Sequence, residues 1–457
     1  MSDLFASLSA TSQALNAQRL GLDVVGQNIA NVNTPGYTRR VVDLAEIPAY
    51  GPLNAGGGVQ ATGIRSVRDT FLETRLQLET SAEQRETAVA SSLGVIEAGL
   101  GSAGGSIDGK LTAFFDSFAQ LADDPTSSTA RLGVISQGSQ LADSFHQMSA
   151  QLSQARWDAN TQIRTNVDQV NALARKIAEF NGAIAGQDPA VTLNAQDGLA
   201  AAISDLSKLV DISTVQRADG AVDVTFANGQ ALAIGNQSYD LSAVPGADGL
   251  VGLVSQGTSV TADVTGGEIG GLLHVRDGLL PDYLRRLDDI AYTVTEQVNN
   301  LHSAGYNLDG QTGVMFFTPL SGSAGAAAQI AVDPALASNP RAVAAGASAA
   351  AGDNQTARAI DALRDGRVLS NGTATLINGW AELVYRIGQD SSAAQQEQES
   401  RGEIVQQVNA MRDAVSGVSL DEEAATMMRF QRAYEASARY FQSVDSAIDT
   451  LMQMIGG

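Results

Sequence analysis

The chain has 457 residues, 44% of them hydrophobic and 17% charged, so it can bury cores, and it exceeds the roughly 250 to 300 residues at which one core stops growing. Its 28 Lys and Arg against 50 Asp and Glu leave a net charge of −22, which repels phosphate backbones and anionic headgroups and argues against nucleic-acid binding. Cysteine is absent, which excludes a disulfide framework and a thiolate metal site.

The first residues, Met1 to Leu15, carry Asp3, no Lys or Arg and no apolar h-region, so no Sec signal is expected. No later run approaches the about 18 apolar residues of a membrane span, so no membrane insertion is expected either. Leu8, Leu15, Leu22 and Ile29 recur every seven residues, with Val25 and Val32 on the adjoining row. That spacing predicts a coiled-coil-prone helix. It stops at a motif of Asn28, Asn31, Asn33, Thr34, Pro35, Gly36 and Tyr37, in which Pro35-Gly36 suits a turn and the asparagines can bond freed backbone groups. Residues 1–45 are read as this helix and turn.

A helical body follows over 46–190. Ile64 to Leu100 reads as helix, a Gly/Ser/Ala stretch from Gly99 to Gly109 interrupts it, and Leu111, Phe114, Phe115, Phe118 and Leu121 mark an apolar helix. Asp124, with Pro125 behind it, is expected to cap a long helix running to Gly186, about 90 Å at 1.5 Å per residue. Asp188-Pro189 ends it. After a short helix around Leu199 to Leu209, alternation in Val222 to Phe226 and Ala231 to Ile234, with turns at Asp219-Gly220 and Asn228-Gly229, predicts strands. Residues 191–268 are therefore read as a β-rich outer insert. Helical spacing resumes at Leu280, Tyr283, Leu287, Ile290, Val294 and Val298, and 269–417 forms the second part of the body.

Residues 418–457 repeat the design of the N-terminus: Met427, Tyr434, Phe441, Ile448 and Ile455 step by seven, flanked by Phe430, Val444 and Leu451. One such stripe would suit an ordinary core helix; two, one at each end, suit segments that stay disordered in the monomer and fold against neighbouring subunits. The fold class expected is mainly α, a long antiparallel helical bundle with coiled-coil-prone terminal helices and a small inserted β-rich domain.

Chemistry has no visible carrier. His146, His274 and His302 are scattered without metal-ligand spacing, and there is no G-x-S-x-G elbow. Gly104 to Lys110 matches the start of a P-loop, but Leu111 stands where Mg²⁺ needs Ser or Thr, and Asp309 to Gly313 lacks the alternating acids of a calcium loop. No catalytic residue, metal or cofactor is assigned, and a non-enzyme is expected.

Asn-Ile-Ala-Asn-Val-Asn-Thr-Pro-Gly-Tyr at 28–37 resembles the N-terminal signature of flagellar rod, hook and hook-associated axial proteins. Ser416 to Glu423, then Arg429 to Tyr434 and Ala436 to Arg439, resembles the C-terminus of the hook-associated protein 1 family. So do Phe114-Phe115 through Pro125 with Ala130-Arg131, and Gly266 to Leu273 with Arg276-Asp277. Residues 212 to 265 resemble nothing recognised. The resemblance implies a secreted structural subunit at the hook-filament junction, exported unfolded by the flagellar type III system and self-associating into a ring. Hook protein, a second junction protein (hook-associated protein 3) and an export chaperone gripping the C-terminal helix, about Leu420 to Ile455, are the implied partners. Another axial protein, a hook or rod subunit, is the nearest alternative, and a flagellum-associated cell-wall hydrolase the more distant one.

Overall fold

The computed structural model describes residues 2–34, 36–48, 58–100, 106–185 and 189–456. Pro35, most of the Gly/Ser/Ala stretch including Gly104, and Asp188 lie outside the described residues, as does the side chain of Ile455.

In chain order the elements are α1 (Ser2–Ala30), β1 (Arg40–Glu46), β2 (Val59–Ser66), α2 (Thr70–Leu100), α3 (Ile107–Asp123), α4 (Ser128–Ala185) and α5 (Pro189–Leu209). Seven strands follow: β3 (Ile212–Gln216), β4 (Val222–Phe226), β5 (Gln230–Ile234), β6 (Gln237–Ser238), β7 (Leu241–Pro245), β8 (Val251–Ser255) and β9 (Thr258–Ser259). Then come α6 (Gly267–His274), α7 (Leu280–Ala304), the short α8 (Ala326–Gln329), α9 (Pro334–Ser338) and α10 (Gln355–Asp361), and the long α11 (Leu376–Ser416) and α12 (Leu420–Gly456). The chain is mainly α, as expected.

These elements divide into two compact units. The first gathers residues 1–81, 169–241 and 401–457, the second 82–168 and 242–400. The second unit holds the main core. Phe114, Phe118, Phe316 and Phe317 are fully buried, with neighbouring ring centroids 4.8 to 5.6 Å apart, and each such ring contributes roughly 1.5 to 3 kcal/mol of burial. Leu280, Tyr283, Leu287, Ile290, Val294 and Val298 present the buried face of α7 to that core, as their spacing predicts.

The segments that looked family-specific turn out to be packing devices of this unit. A Cβ on Gly271 would lie 2.3 Å from the Arg85 carbonyl oxygen, so only glycine lets α6 sit on α2 at this distance. Arg276, 3% exposed in a π-helical turn over Val275–Leu279, donates to Asn160 Oδ1 at 2.9 Å and to the Val251 carbonyl at 2.8 Å, while Val251 N–H donates to the same Asn160 oxygen at 2.8 Å. One guanidinium thus ties α4 to the β7-β8-β9 sheet. Arg131, 1% exposed, donates to the Pro125 carbonyl at 2.6 Å and to that of Val343; burial pushes it down to about 10, so it remains cationic at neutral pH.

In the first unit, β1 and β2 form an antiparallel hairpin, and β3-β4-β5-β6 form a sheet in that order. Asn181 on α4 holds this sheet: its Nδ2 donates to the carbonyls of Val222 (2.8 Å) and Gly235 (2.9 Å), and its Oδ1 accepts from Val222 N–H at 2.9 Å.

Three expectations are corrected. The β1-β2 hairpin replaces what was read as turn and early helix, because Val41, Leu44, Val59 and Ile64 alternate too weakly to outweigh the adjacent helical pattern. The long helix begins at Ser128, not at Pro125: Asp124 closes α3, and Ser127 Oγ accepts from Ala130 N–H at 3.2 Å at the new N-terminus. Residues 191–268 are not one module, since α5 opens the segment, β3 to β6 belong to the first unit and β8 and β9 to the second.

Candidate assembly interface at the chain ends

Helix α1 ends through the asparagine motif. After Ala30 the backbone turns with Thr34 N–H on the Asn31 carbonyl at 2.9 Å, and Gly36 takes φ +78°, a left-handed conformation that favours glycine. Asn31 Nδ2 reaches back to the Gln27 carbonyl at 2.9 Å, and Thr34 Oγ1 donates to Asn31 Oδ1 at 3.2 Å. Asn33 is exposed. These residues shape the turn.

Asn28 does something else. It is 1% exposed and its amide is fully used: Oδ1 accepts from Arg40 N–H (3.0 Å) and from Tyr37 Oη (2.9 Å), while Nδ2 donates to the Arg40 carbonyl (2.9 Å) and to Glu423 Oε2 (3.0 Å). Glu423, itself 1% exposed, stands in the acidic lead-in of α12. Its other oxygen takes Arg39 Nε at 2.7 Å, Arg39 also reaches Glu422 at 3.1 Å, and Arg39 N–H donates to the Ser416 carbonyl at 3.0 Å. Burial pushes the Tyr37 hydroxyl above its usual range, which keeps it a donor. The Arg40 guanidinium lies 5.1 Å from the Tyr37 ring centroid and pairs with Asp197 at 2.7 Å, and Arg68 pairs with the other oxygen of Asp197 at 2.6 Å. The N-terminal turn and the C-terminal lead-in therefore share one buried polar clamp.

From this clamp α1 and α12 run antiparallel. Asn28 faces Glu423, and one heptad further along each helix Gly21 faces Phe430, whose ring would stand 2.6 Å from a Cβ on Gly21. The heptad rows read from sequence lie on these two helices. Val444 and Val25 are buried, and Met427, Phe430, Phe441, Ile448, Leu451, Leu8, Leu15, Leu22, Ile29 and Val32 are half-buried. Among the described members of the row, Tyr434 is the exposed one, at 39%.

The two stripes find each other within a single chain, so the expectation that each end lacks a partner in the monomer does not hold for this structure. The deepest positions of α1 are Thr11, Ala17, Gly21, Val24, Val25 and Asn28 rather than the leucines. Close approach needs small side chains, and a count of large apolar residues passes over them. Outside the pair, α12 leaves Met428, Tyr440, Met452 and Met454 exposed.

Among the described residues no group of three or more His, Asp or Glu could hold a metal, and no helix is long and apolar enough to cross a membrane. His302 is fully buried, with Nδ1 at 2.7 Å from the Val314 carbonyl and Nε2 accepting from Ala344 N–H at 2.9 Å, and burial pushes it down to about 4. It is a neutral core histidine.

Comparison with known proteins finds flagellar relatives for these features. The helical domain of the flagellar hook-associated protein FlgK matches residues 93–317. The C-terminal region of the flagellar basal body rod FlgEFG proteins matches 407–454, and the flagella basal body rod protein model matches 8–38, so the two short models cover most of α1 and α12 and the Asn28, Tyr37 and Glu423 of the clamp. Flagellar hook-associated protein 1 of Bacillus subtilis (strain 168) is 27% identical over 504 residues, spanning 100% of this chain and 99% of the relative. That of Escherichia coli (strain K12) is 24% identical, spanning 96% and 98%. In fold, the chain resembles the flagellar hook junction protein FlgK of Burkholderia pseudomallei with a TM-score of 0.67 at 18% identity, over 75% of this chain and 100% of that one. The two terminal helices and the helical domain between them thus each match flagellar proteins, and over its length the chain is similar to flagellar hook-associated protein 1.

Proposed function

We propose that the chain is the subunit that joins the flagellar hook to the filament, and that it assembles through its paired terminal helices. The observation that carries this reading is the Asn28-Glu423 clamp, in which Asn28 of the axial-protein signature at 28–37 and Glu423 of the acidic lead-in at 420–423 meet as a buried pair. A subunit whose two ends are welded together presents α1 and α12 as a single rod for packing against other subunits. Subunits would self-associate into a ring, contact hook protein on one side and a second junction protein, hook-associated protein 3, on the other. The chain would leave the cell unfolded through the flagellar type III channel, with an export chaperone on α12, whose Met428, Tyr440, Met452 and Met454 offer apolar surface.

A hook or rod subunit would share the signature at 8–38 and the tail at 407–454, but the match to the FlgK helical domain at 93–317 favours the junction. The test is electron microscopy of flagella from a strain lacking this chain, complemented with wild type or with Glu423→Ala. Hooks without filaments in the deletion strain, restored by wild type and not by Glu423→Ala, are expected. Intact filaments in the deletion strain would remove the junction reading.

A further inference from the structure

Within the second unit, α2 and α4 leave a groove of about 480 Å³ between them. Gln151 Nε2 meets the Ile96 carbonyl at 3.5 Å toward one end, and Gln84 and Gln162 line the other, so the two helices run antiparallel along it. The lining positions recur at three- and four-residue steps over 84–96 and 151–162. Each helix therefore turns one regular face to the groove for about 17 Å, at 1.5 Å per residue. The floor is small and apolar, with Ala88 and Ala159 buried, while Val95 is 69% exposed. The charged residues of the lining are Asp158 and Glu268. Neither has a cationic partner among the described residues: Asp158 accepts from Gln154 Nε2 at 2.8 Å, and the arginines next to the lining in sequence turn elsewhere, Arg85 to Glu86 and Arg156 to the Arg276 carbonyl at 2.9 Å.

Each feature narrows the occupant. Two helices side by side with alanines between them accept a third helix, whose larger side chains sink where the floor is small. The two carboxylates call for cationic groups on it. At a net charge of −22, a second copy of the chain has few surfaces that fit, and α12 carries one of them. Met428 and Arg432 stand two positions either side of Phe430, and Arg439 two before Phe441, which at about 100° per residue sets all three on the side away from the seam. All three are exposed, and Arg432 and Arg439 have no ion-pair partner among the described residues. Glu435 between them is exposed as well, and Arg429 on the flank offsets it. We propose that the outward face of α12 of one copy docks in the α2-α4 groove of another, with Met428 over the alanine floor and Arg432 and Arg439 toward Asp158 and Glu268. The contact joins two different surfaces, so it repeats head to tail and builds a closed ring or an open helix of copies. This rests on the self-association proposed above and names the surfaces that carry it.

The chain has no cysteine, so cross-linking tests the contact on the full-length protein. Ser91→Cys in the groove and Ala436→Cys beside the arginine row both change exposed positions. Mixed and mildly oxidised, the two variants should form a mixed dimer about tenfold faster than either alone forms its own. Asp158→Lys in the first or Arg439→Glu in the second should slow the mixed product about tenfold, and the two together should recover most of it, with melting temperature and circular dichroism unchanged. Cross-linking no faster in the mixture than in the separate variants would overturn the pairing of these faces. Preferential cross-linking inside single chains carrying both cysteines would assign the groove to the chain's own α12 and overturn the second copy. Sedimentation velocity separates the groove from the self-association beneath it: wild-type association that Asp158→Lys and Arg439→Glu leave untouched overturns the groove alone, whereas a wild type that stays monomeric at its highest soluble concentration overturns both.

Discussion

At the scale of single residues, the clamp concentrates its consequences on Asn28. Removing the amide leaves Arg40 N–H, Tyr37 Oη and one oxygen of Glu423 buried without that partner, and each orphaned group costs about 1 to 3 kcal/mol. Asn28→Ala should therefore lower the stability of the first unit by about 3 kcal/mol or more, read as a shift in the urea midpoint of probes on α1 and α12. A shift below about 0.5 kcal/mol would show that water replaces the amide at no cost. Gly21 gives a second test. Its missing Cβ is where the Phe430 ring lies, so Gly21→Ala should cost about 1 to 3 kcal/mol, and Phe430→Leu should recover part of that loss in the double variant. Simple additivity of the two changes would contradict direct contact. The sequence exposes Asn28 as part of a motif but not as its keystone, because Asn31 and Asn33 look equivalent until the turn carries one of them to solvent. Arg39, Arg40 and Asp197 have no signal of this kind: their ion-pair partners lie 129 or more positions away, and no local pattern encodes such partners.

At the scale of elements, heptad spacing marks a face of α12, and Phe430 on that face packs against Gly21 of α1. What spacing does not tell is the partner, since a stripe fits a helix of its own chain as well as one from a neighbour. The α1-α12 pair rests on half-buried side chains, with Val25 and Val444 among its few buried members, whereas the second unit buries Phe114, Phe118, Phe316 and Phe317 completely. The pair should accordingly be the first part of the molecule to open. Phe441→Asp places a charge in the seam and should raise hydrogen exchange along both α1 and α12, leaving peptides from α3 and α7 as protected as in wild type. Equal loss of protection in α3 would place Phe441 in a common core and refute the separation. The hairpin and the insert show the converse limit: β4 and β5 were readable because Asp219-Gly220 and Asn228-Gly229 punctuate them, and Gly220 and Gly229 do adopt positive φ. β1 and β2 lie where the sequence reads as a turn and the start of a helix, because their apolar residues do not alternate cleanly.

At the scale of the whole molecule, the division into two units crosses the chain between residues 81 and 82, 168 and 169, 241 and 242, and 400 and 401, and three of those points fall inside α2, α4 and α11. A helix that continues through a boundary keeps its period, so periodicity has nothing to register there, and the sequence suggested one insert where strands serve both units. Charge acts on the same scale through His302. In the folded chain its Nε2 accepts Ala344 N–H, so a proton on that nitrogen would set two donors against each other in a site without water contact. Its folded value near 4 lies below the ordinary value of 6.5, so between these pH values the unfolded chain holds the extra proton. Stability from this site is complete above pH 6.5 and is lost as pH falls toward 4, by about 3 kcal/mol in full, at 1.36 kcal/mol for each unit of difference. Urea midpoints of the second unit should decline over that window in the wild type. His302→Gln, whose side-chain oxygen can still accept from Ala344, should start lower and decline less, the difference between the two curves following one proton. Parallel curves would mean that His302 is not the group whose protonation drives the decline; Asp288 cannot replace it, because burial raises its value and a raised carboxylate favours the folded chain as pH falls.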